Sequence, residues 1–60
     1  MKELYFTVKE VATLLKRSER AVRHLIYRGY LPAYRIGRVI YVKASDLEQA
    51  FKPVKKEGEN

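Results

Sequence analysis

The chain has 60 residues, one histidine and no cysteine, so it is limited to one small domain without a disulfide framework or a thiolate zinc site. Thirteen Lys and Arg residues against seven Asp and Glu residues give a formal net charge of +6. No apolar run approaches the roughly 20 residues that a bilayer span requires. The N-terminus MKELYF contains an acid and no long apolar stretch, unlike a signal peptide. We therefore expect a soluble, cytoplasmic protein with no membrane partner.

The basic residues are concentrated in the middle of the chain. Between positions 16 and 43 there is one acid, Glu19, against eight basic residues: Lys16, Arg17, Arg20, Arg23, Arg28, Arg35, Arg38 and Lys43. Such clustering is typical of a phosphate-binding surface, whereas a surface that only keeps a protein in solution mixes both signs. The charge distribution favours a nucleic-acid partner over a merely solvated surface.

The first predicted helix follows a short extended segment, residues 2–6. The sequence Thr7-Val8-Lys9-Glu10 fits a capping box, in which the side chains of the first and last residues each bond the other's backbone. Apolar residues then recur at helical spacing as far as Leu15, which predicts a helix from residue 8 to about residue 15.

The second predicted helix spans residues 19–28 and begins only three residues later. Ser18 is a suitable N-cap, and Gly29 is a suitable stop because glycine readily adopts the left-handed conformation. One side of this helix is apolar, and the opposite side carries Arg20, Arg23, His24 and Tyr27. Two short helices joined by a tight turn are the layout of a helix-turn-helix.

A β hairpin is predicted for residues 33–43, because β-branched and aromatic residues flank Gly37. Two strand registers are possible for this hairpin. A two-residue Gly37-Arg38 turn pairs Ile36 with Val39. A three-residue loop instead places Tyr34, Ile36, Ile40 and Val42 on one face, opposite Arg35, Tyr41 and Lys43. We favour the three-residue loop because it separates apolar from basic residues.

A third, short helix is predicted to begin at the capping box Ser45-Asp46-Leu47-Glu48 and to end at Phe51 or Lys52, before Pro53. Residues 53–60 are polar and aperiodic, which predicts a disordered tail after a single domain, residues 1–52. The predicted fold class is α+β, mostly α: a winged helix-turn-helix with the order helix, turn, helix, β hairpin, short helix. One core is expected to unite Phe6, Val11, Leu15, Val22, Leu25, Ile26, Leu31, Ile36, Ile40, Val42, Leu47 and Phe51.

The segment from Phe6 to Phe51 resembles the small excisionase-type, MerR-like winged helix-turn-helix domains. The resemblance rests on Thr7, Glu10, Val11, Ala12, Leu15, Ser18, Val22, Gly29, Leu31, Pro32, Gly37, Arg38, Ser45, Asp46 and Leu47. Ala21 stands where many relatives have threonine or serine, and Ile40 where many have an aromatic residue. The resemblance implies DNA binding in excision, as a directionality factor, or in transcriptional regulation. The implied partners are double-stranded DNA and either an integrase or recombinase or further copies of the chain on adjacent sites.

The candidate DNA-binding residues lie in the second helix, the turn before it and the hairpin (the wing): Arg17, Ser18, Arg20, Arg23, His24, Tyr27, Arg35, Arg38 and Lys43. Arginine can donate two hydrogen bonds to guanine, so Arg20 and Arg23 are the candidates for base contact in the major groove. The wing, with Arg38 at its tip, is expected on the backbone or in the minor groove. The structural alternatives are a solvated helix face, an N-cap role for Ser18 alone, and a basic hairpin that discourages strand pairing.

Other functions are less well supported by the sequence. An adaptor could use the same basic face to bind an acidic protein. RNA binding would call for stacking aromatics on a sheet, which the sequence does not reveal. An enzyme is not expected, because no nucleophile–base pair, paired carboxylates or glycine-rich phosphate loop is recognisable. We also expect no cofactor, metal or small-molecule ligand.

Overall fold

The computed structural model describes residues 2–54. It confirms the α+β winged helix-turn-helix architecture and adds a strand at the N-terminal end. The elements in chain order are β1 (Tyr5–Thr7), α1 (Val8–Leu15), α2 (Glu19–Tyr27), β2 (Tyr34–Ile36), β3 (Val39–Lys43) and α3 (Ala44–Ala50). Within the described residues, no helix has the length and apolar character needed to span a membrane. Of the predicted disordered tail, residues 55–60 lie outside the described residues.

Helix α1 is bounded by two local motifs. The Thr7 hydroxyl accepts a hydrogen bond from the Glu10 N–H at 3.2 Å, and the Thr7 N–H donates to the Glu10 carboxylate at 2.8 Å. The predicted capping box is therefore confirmed. At the other end Lys16 adopts a left-handed conformation, with φ 57°. The N–H groups of Lys16 and Arg17 donate to Thr13 and Ala12 carbonyls, which is the Schellman pattern that ends a helix.

Helix α2 begins as its sequence predicts and ends one residue before the predicted end. The Ser18 hydroxyl accepts from the Ala21 N–H at 3.0 Å. Gly29 has a φ of 83°, and the Tyr30 N–H donates to the Leu25 carbonyl at 2.9 Å. The last helical residue is Tyr27, one position before the predicted end, because Arg28 is the C-cap.

The sheet has three antiparallel strands in the order β1-β3-β2. The segment predicted only to be extended thus forms a strand, with Phe6 opposite Val42. This extra strand covers one edge of the hairpin, since an isolated two-stranded hairpin is only marginally stable in water.

The hairpin register differs from the one we favoured. Ile36 pairs with Val39, so the turn has two residues, and the three-residue loop is wrong. Gly37 supplies a φ of 60°, as a two-residue hairpin turn with glycine at its first position requires. Tight turn geometry therefore prevails over the apolar pattern of the strands.

The register assigns the strand residues to two faces. The inner face, turned toward the helices, carries Phe6, Arg35, Ile40 and Val42. The outer face carries Tyr5, Tyr34, Ile36, Val39, Tyr41 and Lys43. The predicted grouping of Ile36 with Ile40, and of Arg35 with Lys43, is therefore wrong, because a one-residue slip exchanges the faces.

Helix α3 is not capped by the predicted box. It begins at Ala44, after Lys43 at the N-cap position, which makes no side-chain capping bond. The Glu3 carboxylate takes that role, accepting from the Ser45 N–H at 3.1 Å and the Ser45 hydroxyl at 3.2 Å. The helix ends at Ala50, because Phe51 is extended.

The core lies between the helices and the inner face of the sheet. Its buried members are Val8, Val11, Ala12, Val22, Leu31, Val42 and Leu47. Two residues predicted to lie in the core do not: the exposed fraction is 73% for Ile36 and 66% for Phe51. Ile36 is on the outer face of an edge strand, and Phe51 follows the end of α3.

Candidate nucleic-acid interface

Helix α2 presents its polar side to solvent because its apolar side is packed into the core. Val22 is fully buried, and Leu25 and Ile26 pack against the core from the same side. On the opposite side Tyr27 is largely exposed. This arrangement leaves the cationic side of a short helix accessible, and the major groove of DNA can accommodate an α-helix.

One edge of α2 and the turn before it form an open depression of about 390 Å³. Its lining includes four of the predicted site residues and two others: Arg17, Ser18, Arg20, Ala21, His24 and Leu25. The first N–H groups of the helix have no intrahelical partner, so they favour an anion at this end. The depression therefore combines cationic side chains with backbone donors, which suits a phosphate.

The other edge of α2 faces the tip of the hairpin across a second cleft, of about 260 Å³. Glu19 and Arg23 line it from α2, and Arg38 lines it from the hairpin turn. Arg23 Nη2 lies 3.5 Å from Glu19 Oε1, and both side chains are about half exposed. An exposed ion pair of this kind contributes at most about 1 kcal/mol. Arg23 can therefore exchange Glu19 for a stronger partner at little cost.

Lys9 was not among the predicted site residues, yet it also lines this cleft. Its neighbour Val8 is buried, and Lys9 itself is exposed at the start of α1. Helical spacing places Lys9 away from the apolar stripe, but only the packing of α1 beside the hairpin shows that it lies near Arg38. A third cation thus joins the cleft.

The remaining candidates lie in different places. Arg35 is exposed on the inner face, opposite Ile40, which itself lines the cleft. Lys43 belongs to the outer face, with its Nζ 5.0 Å from the centroid of the Tyr34 ring. Arg35 and Lys43, which the favoured register predicts to share one face of the hairpin, therefore lie on opposite faces.

Lys43 has a distinct electrostatic environment. The pKa of Lys43 lies above its ordinary value of 10.5, chiefly because of the negative charges that Tyr34 and then Tyr5 acquire when their phenols ionise. Desolvation opposes this shift, and Asp46 and Glu3 add smaller contributions that raise the pKa. Its ammonium group therefore stays charged at neutral pH.

A tight helix-turn-helix with exposed cations on its second helix, followed by a β hairpin whose basic tip faces that helix, defines the winged helix-turn-helix class of DNA-binding proteins. Residues 5–52 match a family model described as a helix-turn-helix domain. The chain belongs to this family of small DNA-binding domains of the excisionase type. A helix-turn-helix domain supports DNA as a partner in general terms.

One relative is the uncharacterized protein YvgK of Bacillus subtilis (strain 168), which is 52% identical over 44 residues. The aligned segment covers 73% of this chain but only 14% of that protein. The chain therefore corresponds to a small part of this curated relative. No solved structure matches the chain significantly.

Proposed function

We propose that the protein binds double-stranded DNA in a sequence-specific manner, with α2 in the major groove and the wing, residues 33–43, on the backbone or in the adjacent minor groove. The observation that carries the proposal is the shared cleft of Arg23 and Arg38. A helix and a hairpin tip that face each other across a cationic cleft can contact a duplex at two places at once. Two contacts also define the register of the protein on its site.

The proposed roles follow from the chemistry of each side chain. Arg20 and Arg23 contact base edges, since guanidinium groups donate two parallel hydrogen bonds to guanine. Arg17 and Ser18 contact the DNA backbone together with the free N–H groups at the start of α2. His24 and Tyr27 flank the base-contacting pair along the same side of the helix.

The wing adds contacts on the second side of the cleft. Arg38 enters the minor groove or binds a phosphate, and Arg35 and Lys9 support it from the inner face and from α1. Lys43 is left out of this surface because it lies on the outer face. The proposed interface therefore has two halves, the turn and α2 on one side and the wing tip with Lys9 on the other.

Within DNA binding, we propose a role either as an excision directionality factor or as a small transcriptional regulator, acting on DNA in the cytoplasm as a binding module rather than as an enzyme. The resemblance to excisionase-type domains supports the first role. Its expected partners are an integrase or recombinase and further copies on adjacent sites. The two roles differ in DNA bending, which an excision factor produces and a simple operator-binding regulator does not require.

The test is a selection of bound duplexes from a random pool, followed by a titration of the enriched duplex at several salt concentrations. About five phosphate contacts predict a slope of about −4 to −5 for log affinity against log salt concentration. A circular-permutation bending assay on the same duplex then separates the two roles. Absence of enrichment with a flat salt response would contradict DNA binding by this surface and favour an acidic protein partner.

A further inference from the structure

An open apolar groove of about 210 Å³ lies between the ends of α1 and α2 and one side of α3. Leu31 and Leu47 are the buried members of its lining. Tyr30 and Phe51 lie beside them, with exposed fractions of 64% and 66%. The remaining members are half-buried and aliphatic: Leu15, Leu25 and Ala50. A concave apolar surface with exposed aromatic residues at its rim marks an interaction site.

The groove is separate from the cleft on which the DNA-binding proposal rests. It shares no lining residue with the cleft of Arg23 and Arg38. It borders the depression at the start of α2 only through Leu25, which lines both. An occupant of the groove therefore leaves the cleft open to DNA.

Cations outnumber acids around the groove. Three charged residues close to it in sequence face other sites, because Arg17 and Arg23 line the two proposed DNA sites and Asp46 accepts a hydrogen bond from Tyr34. Within two positions of the lining residues, the other charges are three exposed cations and one exposed acid: Lys16, Arg28, Lys52 and Glu48. The groove therefore has an apolar lining and a mainly basic surround.

This chemistry limits the occupant. The lining residues belong to helices and to segments that follow helices, so the groove has no strand edge to which an extended peptide could add. A flat membrane surface reaches protruding side chains, whereas Leu31 and Leu47 are buried. A second copy would bring the same basic surround and a net charge of +6, which repels the first. The remaining occupant is a protein segment that is apolar on one side and acidic beside it.

We propose that the groove binds an amphipathic helix of a partner protein, with acidic residues on both flanks of its apolar side. Apolar residues at helical spacing (i, i+3 or i+4, i+7) fill the groove, as in other helix-in-groove complexes. The side chains of Tyr30 and Phe51 become buried against them. Acidic residues beside the apolar side approach Lys16, Arg28 and Lys52, which orients the helix and excludes basic competitors.

The test is a selection from a phage-displayed library of random peptides of about 15 residues, a length at which an isolated helix is marginally stable in water. The immobilised protein is the bait. We expect the enriched peptides to carry apolar residues at helical spacing and Glu or Asp beside them. One enriched peptide, synthesised with a fluorescent label, is then titrated with the protein and its variants by fluorescence anisotropy.

Matched variants assign the binding to the groove. Phe51→Ser and Tyr30→Ser should each weaken the peptide complex by about 10- to 100-fold, as expected for aromatic residues at the centre of an interface. Leu14→Ser removes an exposed apolar residue of α1 that does not line the groove, and it should leave the affinity unchanged. Melting temperatures of all three variants separate lost binding from lost folding.

A charge-reversed pair tests the basic surround. Lys52→Glu should weaken the acidic peptide by about 2- to 10-fold, in line with the loss of exposed ion pairs. Lys2→Glu makes the same change of net charge at an exposed position that does not line the groove, and it should have a smaller effect. Equal effects would overturn the proposed orientation by the surrounding cations.

The other outcomes are equally distinct. Absence of enrichment, or enrichment of basic or proline-rich peptides, overturns the acidic helix as occupant. Peptide binding that survives both Phe51→Ser and Tyr30→Ser assigns the contact to another surface. Binding to phosphatidylglycerol vesicles, or a dimer in sedimentation, that Phe51→Ser abolishes would identify a lipid surface or a second copy instead. Selection of duplexes tests DNA binding separately, so either proposal can fail without the other.

Discussion

Glu3 and Ser45 are 42 positions apart, yet the Glu3 carboxylate accepts both the backbone N–H and the hydroxyl of Ser45. In addition, the Ala44 N–H donates to the Leu4 carbonyl at 2.8 Å. The N-terminal segment thus accepts hydrogen bonds from the first N–H groups of α3 and places a negative charge at the positive end of that helix. The last helix of the domain depends on residues that precede the first one.

Glu3→Ala should therefore lower the free energy of unfolding by about 1 kcal/mol, the usual contribution of a side-chain cap. For a domain of this size the melting temperature should fall by about 4–8 °C per kcal/mol. Ser45→Ala should cost less, because the N–H contact remains. Thermal unfolding by circular dichroism measures both. Glu48→Ala, an exposed acid of the same helix, is the control, and an equal loss there would contradict a capping role for Glu3.

Lys16→Gly should stabilise the domain by about 0.5–1 kcal/mol. Lys16 has a positive φ, a conformation that strains an L-residue by roughly 1–2 kcal/mol, whereas glycine tolerates it at the cost of a more flexible unfolded chain. Arg17→Gly is the matched control, since Arg17 has no positive φ and should lose stability. Urea unfolding measures the free energy of unfolding of both variants. A lower value for Lys16→Gly than for the unmodified protein would argue against strain in this turn.

Arg23→Ala should weaken specific DNA binding by about 1–3 kcal/mol and relax the preference at one or two base pairs. Arg23→Lys is the informative companion variant, because it keeps the charge but cannot form the planar two-bond contact. It should lose the base preference while retaining the salt dependence. Repeating the duplex selection with each variant measures this. Equal weakening on all sequences would make Arg23 a phosphate contact.

Arg38→Ala should weaken binding to all duplexes alike and reduce the magnitude of the salt slope by about 1. The reason is that the tip of the wing is proposed to meet the backbone or the electronegative minor groove. Arg28→Ala removes the same charge from the C-cap of α2, away from the cleft, and should change the slope less. Fluorescence anisotropy at several salt concentrations compares the two. Similar slopes would mean that overall charge, not position, determines the contribution of Arg38.

Helices α1 and α2 and their caps could be predicted from the sequence, because the interactions that define them are local. Thr7 and Glu10 are three positions apart, and Ser18 and Ala21 likewise, so the residue types and their spacing predict these bonds. The same holds for Gly29, whose conformational freedom ends α2. The class of protein could also be predicted from the sequence, since the tight helix-turn-helix and the hairpin with basic residues are both recognisable along the chain.

The pairing of the strands and the surfaces that meet depend on contacts between distant parts of the chain, which the sequence pattern does not reveal. Pairing Phe6 with Val42 and capping α3 by Glu3 join residues far apart in the chain, which no local pattern records. The hairpin register differs from the predicted one by a single residue, and this shift places Ile36 on the outer face instead of in the expected core. Lys9 likewise lines the cleft only because α1 packs beside the hairpin. Distances along the chain predict local bonds well, but the faces of a sheet depend on long-range register.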